Sequence, residues 1–350
     1  PSRPQTPLAP FPYHTEDVVV DGGSEGVKLE GTLTIPDTGG PFPAVVLISG
    51  SGPQDRDETL AGHRPFWVLA DHLSRNGIAV LRYDDRGVGA STGKFETATT
   101  VELADDARAM HTFLLSRGDV DRNKVGLIGH SEGGIIAPML ASQSEEVAFI
   151  VMLAGPGLRG DEILYLQTEL ISRAMGLDET AIRQSRIDSE AMYAIIRSES
   201  DQQKMVQRLR TYRTGAMAGY TEEMLAEIRK YGDPEKLFEA SLGQLTAPWF
   251  RFFLDYDPIP SLKKTSCPVL ALIGERDMQV PPLQNIPAIE EALQQGVSKE
   301  FSVEELPGLN HLFQKAKTGS PGEYGSIEET FAPSALKVIS DWVLDQSARL

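Results

Sequence analysis

Along most of this chain, short apolar runs alternate with longer segments in which apolar residues recur every three or four positions. Val18 to Val20 and Val27 to Ile35 are aliphatic and β-branched, and predict two early strands joined by a turn at Gly22 and Gly23. After them come the runs Ala44 to Ser49, Ile78 to Tyr83, Val125 to Gly129, Phe149 to Leu153, Val269 to Gly274 and Phe301 to Leu306. These are continuous rather than alternating, and each leads through a glycine- or proline-rich turn into a helical pattern. A strand that is apolar on both sides needs cover on both sides, so the pattern predicts an α/β fold with a doubly wound, mostly parallel sheet.

The alternation breaks between about Gly157 and Pro258. Ile163, Leu166, Leu170 and Met175 fall near helical spacing, and Asp178 can cap the next helix. Thr221 precedes Met224, Leu225 and Ile228, while Asp233 and Pro234 form a cap and first-turn pair. Residues 157–258 are therefore expected to be a helical cap inserted into a core made of residues 17–156 and 259–350. The length of 350 residues suits one large domain with an insertion, or two domains. Residues 1–16 carry Pro1, Pro4, Pro7, Pro10 and Pro12 and predict an extended linker, with a removed signal peptide or upstream domain as an open expectation.

Composition narrows the partners. Apolar residues at 41% and charged residues at 24% are ordinary for a globular protein. The formal net charge of −17 repels nucleic acid and anionic membranes, leaving neutral or cationic small molecules. No run of eighteen apolar residues exists, so no membrane span is expected. Cys267 is the only cysteine, which excludes an intramolecular disulfide and reads as a small strand-edge hydrophobe. No histidine or cysteine cluster has metal-ligand spacing, so no metal is expected. Compartment stays open, cytoplasmic or, after loss of a leader, periplasmic or secreted; oligomeric state stays open as well.

The chemistry concentrates at strand ends. Gly129-His130-Ser131-Glu132-Gly133 follows a predicted strand and precedes the helical run Gly134 to Ala141. A G-x-S-x-G sequence in that context holds its serine on a sharp turn above the sheet, and the backbone N–H of Glu132 can donate to a developing oxyanion. The alternative is a helix-capping serine in a glycine-rich turn, and His130 reads as a supporting residue. A serine nucleophile needs an imidazole within reach and a carboxylate to orient it. Of six histidines, His14, His63, His72 and His111 lie before the elbow, whereas His311 sits in the loop Pro307 to His311 after a strand. Asp277 stands just beyond the carboxyl end of Val269 to Gly274, where functional groups gather in open parallel sheets, with Glu275 as its rival. The chain order Ser131, Asp277, His311 is that of the α/β-hydrolase triad.

On these motifs the chain, from about Val18 to its C-terminus, resembles the α/β-hydrolase superfamily. Within it, the chain is similar to bacterial serine esterases of the dienelactone-hydrolase-like and serine-aminopeptidase-like branch, which often carry Gly-His-Ser-x-Gly and a helical cap. The resemblance implies hydrolysis of short acyl esters without metal or organic cofactor, and places the second oxyanion donor at Ser51. One departure is Ser49-Gly50, where many relatives have His-Gly. Gly52 in the same loop, with Trp249 and Phe253 among the aromatics Trp249 to Tyr256, are candidate substrate contacts; packing is the rival reading of the aromatics. Asp55, Arg56 and Asp57 either contact substrate or form a self-satisfied ion cluster, and Asp84, Asp85 and Arg86, which resemble the superfamily's Asp-x-Arg-Gly turn, read as structural. The expectation is a serine carboxylesterase acting on short- to medium-chain acyl esters. A peptidase, thioesterase or acyltransferase, or a non-catalytic ligand-binding protein of this fold, are the alternatives.

Overall fold

The computed structural model describes residues 2–230 and 232–350, so Pro1 of the expected linker lies outside the described residues. Eight strands form one sheet: β1 (Tyr13–Asp21), β2 (Lys28–Pro36), β3 (Phe42–Ile48), β4 (Ala79–Tyr83), β5 (Val120–His130), β6 (Ile150–Leu153), β7 (Val269–Gly274) and β8 (Phe301–Leu306). Their order across the sheet is β1-β2-β4-β3-β5-β6-β7-β8. β1 and β2 form an antiparallel hairpin, β2 also pairs antiparallel with β4, and every later neighbour is parallel. Strands β4, β6 and β7 are buried at every position, as their unbroken apolar runs require.

Helices α1 (Pro65–Arg75), α2 (Thr100–Leu115) and α3 (Gly133–Ala141) follow β3, β4 and β5. Thr99 and Glu102 close a reciprocal capping box at the start of α2. Between β6 and β7 the chain runs through α4 (Gly160–Ala174), α5 (Glu179–Ser198), α6 (Gln202–Met217), α7 (Glu222–Arg229), α8 (Pro234–Leu245), α9 (Pro248–Asp255) and α10 (Ile259–Lys264). The side chains of Asp178 and Asp233 cap α5 and α8 by accepting first-turn N–H groups. This helical insertion holds a small core of its own, centred on Tyr193, Ile196, Leu209, Phe238 and Leu254. Helices α11 (Pro282–Gln294) and α12 (Pro333–Arg349) complete the layers. Apolar side chains of α2, α3 and α11 cover one face of the sheet, and those of α1 and α12 cover the other.

The N-terminal segment is more engaged than its proline content suggests. β1 begins at Tyr13, because strand pairing uses backbone groups and tolerates the outward-facing polar residues His14 to Asp17. Ahead of it, Arg3 donates to the carbonyls of Ala61, Gly62, Gly325 and Ile327, and Gln5 bonds the backbone of Thr330 and Phe331.

Candidate active site

The turn between β5 and α3 is built around a strained residue. Ser131 has φ +52°, in the left-handed region that a β-carbon resists. Its N–H donates to Leu153 O at 2.8 Å, which hangs the turn on the end of β6. A β-carbon on Gly129 would lie 1.9 Å from Gly133 O, and one on Gly133 would lie 2.1 Å from Ile48 O. The two motif glycines are therefore what lets the turn close against β3.

Asp277 follows β7, and its Oδ1 accepts the N–H groups of Gln279 and Val280, both at 2.8 Å. That leaves Oδ2 for His311 Nδ1, at 2.8 Å, with both residues 3% exposed. The loop carrying His311 is held from within: Asn310, fully buried, accepts the N–H groups of Leu312 and Gln314 on its Oδ1. Glu275 instead accepts the N–H of Gly308 and does not meet the imidazole.

Ser51, Ser131, Glu132 and His311 line one cavity of about 220 Å³. Leu164, Trp249, Phe253, Val280 and Leu312 form much of its apolar wall; Gln167, Gln244 and Gln279 add polar amides, and among the described residues no lysine or arginine lines it. Among the described residues, neither the Ser51 nor the Glu132 backbone N–H donates to a protein acceptor. Two free amides thus flank the serine.

The Glu132 side chain is buried. Its Oε1 accepts from Thr100 Oγ1 and Trp249 Nε1, each at 2.7 Å, and the Ser51 side chain is near enough to act on the same carboxyl. Burial pushes its carboxyl above the usual range, against the pull of those hydrogen bonds. Trp249 also stacks on Phe253, with ring centroids 5.1 Å apart and planes tilted 18°. It therefore lines the cavity and fastens α9 to the elbow at once. Gly52, at φ +92°, belongs to the same loop as Ser51 but does not line the cavity.

The charged neighbours satisfy one another. Arg56 pairs with Asp84 at 2.7 Å, Asp57 pairs with Arg82, and Asp55 accepts the N–H groups of Asp57 and Thr59. Arg86 holds Asp106 at 2.6 Å. Asp85 accepts from Ser49 Oγ and the Gln54 N–H, and burial drives its carboxyl well above the ordinary range. Ser49, standing where many relatives have histidine, thus spends its hydroxyl on a buried carboxyl. Burial also pushes the Cys267 thiol up to about 12, which keeps it protonated and unreactive at neutral pH. Among the described residues, no cluster of acidic, histidine and cysteine side chains could hold a metal, and no helix is long and apolar enough to cross a membrane.

Sequence reasoning does not single out Glu58, Gln167, Gln244 or Gln279. They reach the cavity from one loop, from α4 and α8, and from the turn after Asp277. No local pattern marks such residues, since only the fold brings them together.

The sequence profile of the X-Pro dipeptidyl-peptidase (S15) family matches residues 25–299. An esterase of Thermotoga maritima, EstD, is 30% identical over 271 residues, covering 77% of this chain and 54% of that protein, so the chain spans about half the length of this relative. Among solved structures, an esterase of Pyrococcus furiosus is similar with a TM-score of 0.56 at 18% identity, covering 96% of this chain and 91% of that one. Proline iminopeptidase of Mycobacterium smegmatis has the same TM-score at 14% identity, covering 95% and 99%. These likenesses show the α/β-hydrolase fold, with its mostly parallel sheet and helical insertion.

Proposed function

We propose that this chain, which belongs to the X-Pro dipeptidyl-peptidase (S15) family of α/β-hydrolases, is a serine carboxylesterase acting on short- to medium-chain acyl esters. The observation that carries the reading is the buried 2.8 Å hydrogen bond between His311 Nδ1 and Asp277, on a ring that faces the same cavity as the strained Ser131. With Nδ1–H donated to Asp277, Nε2 keeps its lone pair and can take the proton of the Ser131 hydroxyl as it attacks the ester carbonyl. The carbonyl oxygen, becoming an anion, rests on the free N–H groups of Ser51 and Glu132; each such donor contributes on the order of 10² to 10³ in rate. His311 then protonates the leaving alcohol, activates water against the acyl-enzyme, and returns the proton to Ser131. Every step uses side chains and amides of this chain.

Residues 157–258 act as a cap in this reading, since Leu164, Trp249 and Phe253 close the cavity from that side. The cavity's modest volume and apolar wall favour a short acyl chain. The family's description favours peptide bonds as a second reading, and fold and triad alone do not fix the leaving group.

A panel of nitrophenyl esters of increasing acyl length, aminoacyl-prolyl anilides and acyl thioesters, run on wild type and Ser131→Ala, tests the proposal. The expected result is the highest kcat/KM on a short or medium ester, lost in Ser131→Ala. An anilide preferred over every ester would replace the esterase with a peptidase, and activity surviving in Ser131→Ala would remove the mechanism.

A further inference from the structure

His130, the last residue of β5 and the one before Ser131, makes contacts that the mechanism above does not use. Its Nε2 lies 3.0 Å from the backbone carbonyl of His311, and its Nδ1 lies 2.8 Å from Glu58 Oε1. The same Oε1 accepts the N–H of Gly50 at 2.7 Å. Glu58 and His130 are 4% and 6% exposed. Glu58 reaches this position from an unusual backbone: φ is +53°, in a turn where Glu58 N–H donates to Asp55 O and Asp55 Oδ1 accepts the two flanking N–H groups. A non-glycine residue is held there at a cost only when the surroundings require it.

The chemistry of the partners sets the proton count. A carbonyl oxygen only accepts, so Nε2 carries a proton. Oε1 takes two short bonds at once, the pattern of an ionised carboxylate, so Nδ1 carries a proton too. We propose that His130 is held as an imidazolium by Glu58, and that this buried ion pair is a positioning element that ties the oxyanion loop, the nucleophile elbow and the general-base loop into one unit. Each tie sits next to a proposed catalytic group: Gly50 precedes Ser51, His130 precedes Ser131, and the third tie is the carbonyl of His311 itself. The groups that face the His130 ring are Glu58, the His311 ring with its centroid 4.8 Å away, Asp277 and the edge of Phe313. Burial opposes the charge on His130, but the Glu58 carboxylate, the His311 carbonyl and Asp277 outweigh it and raise the imidazole above its ordinary range.

The inference rests on the esterase reading for its catalytic consequence, but not for the charge state, and the two can be tested apart. In the full chain labelled with ¹⁵N-histidine, His130, assigned by loss of its signal in His130→Gln, is expected to keep both ring nitrogens protonated above the usual imidazole midpoint near 6.5. In Glu58→Gln one amide oxygen would still take the Gly50 N–H, but the neutral side chain cannot hold an imidazolium. The ring is expected to become neutral, and kcat on the best ester to fall about 10- to 100-fold with KM nearly unchanged, since loosened loops misplace reacting groups rather than lose substrate contacts. Glu58→Asp, which restores the charge, is expected to recover part of kcat. A wild-type spectrum with a single protonated ring nitrogen on His130 would overturn the ion pair whatever the Glu58 variants do. An unchanged kcat in folded Glu58→Gln would overturn its positioning role. Absence of ester turnover and of fluorophosphonate labelling in wild type would instead bring down the esterase reading, and the catalytic half of this inference with it.

Discussion

Replacing Asp277 by Asn changes a single atom, and the surrounding hydrogen bonds dictate how the new side chain must sit. Oδ1 of Asp277 receives two backbone N–H groups, from Gln279 and Val280. An asparagine must keep its carbonyl oxygen there, because an amide nitrogen cannot accept, so its NH₂ is turned toward His311 Nδ1. Nδ1 is then forced to carry the lone pair and the proton moves to Nε2, the nitrogen that has to take the Ser131 proton. The imidazole holds the wrong tautomer and cannot act as base. A change of this kind in a serine triad lowers kcat by about 10⁴-fold. At about 1.4 kcal/mol per tenfold, this is roughly 5.5 kcal/mol of transition-state stabilisation. The assay is kcat on a nitrophenyl ester for wild type and Asp277→Asn, with thermal unfolding to confirm that the near-isosteric variant is folded. A folded variant within about tenfold of wild type would refute the tautomer argument and the role of the His311–Asp277 bond.

Three further changes probe the frame around the site. Trp249→Phe keeps the stacked ring but removes the indole N–H from Glu132, and is expected to lower stability by about 1 kcal/mol and shift ester preference toward longer acyl chains. A fall in stability with an unchanged chain-length profile would leave Trp249 a packing residue only. Gly134→Ala places a β-carbon 2.5 Å from the backbone of Gly155 and forces α3 away from the sheet, at about 1–3 kcal/mol by chemical denaturation; an unchanged midpoint would contradict that close approach. Asp85→Asn tests the buried carboxyl: its folded-state pKa is raised, so between the unfolded value near 3.9 and that raised value the folded chain binds a proton the unfolded chain has released. Stability contributed at Asp85 is thus present in acid and lost as pH rises through the folded pKa. The melting temperature of Asp85→Asn should therefore gain on wild type as pH rises above the unfolded value near 3.9, and parallel curves would contradict the reading.

Much of the frame is legible in the sequence because burial leaves an unambiguous mark. β7 and β8 coincide with the runs Val269 to Gly274 and Phe301 to Leu306, and the insertion helices begin at the caps Asp178 and Asp233. β5 is longer than its apolar run. It starts at Val120, but Asp121 to Lys124 are polar and largely turned outward, so only the buried half carries a signal. The strand start at Tyr13 is hidden for the same reason, among prolines and charges. At the site, the Gly129 to Gly133 motif and the strand-end positions of Asp277 and His311 are local features and can be picked out. Glu58 cannot, because its importance lies in a backbone turn and a contact 72 residues away in the chain. The dual character of Trp249, wall and tie together, also requires the fold.

The mechanism depends most directly on Ser131 being the residue that bonds to the acyl group. Intact-mass and peptide-level spectrometry after treatment with a fluorophosphonate measures it in one experiment. The predicted result is a single adduct per chain on the peptide containing Ser131, suppressed by excess ester substrate and absent from Ser131→Ala. An unmodified wild-type chain, or an adduct that persists in Ser131→Ala, would contradict it.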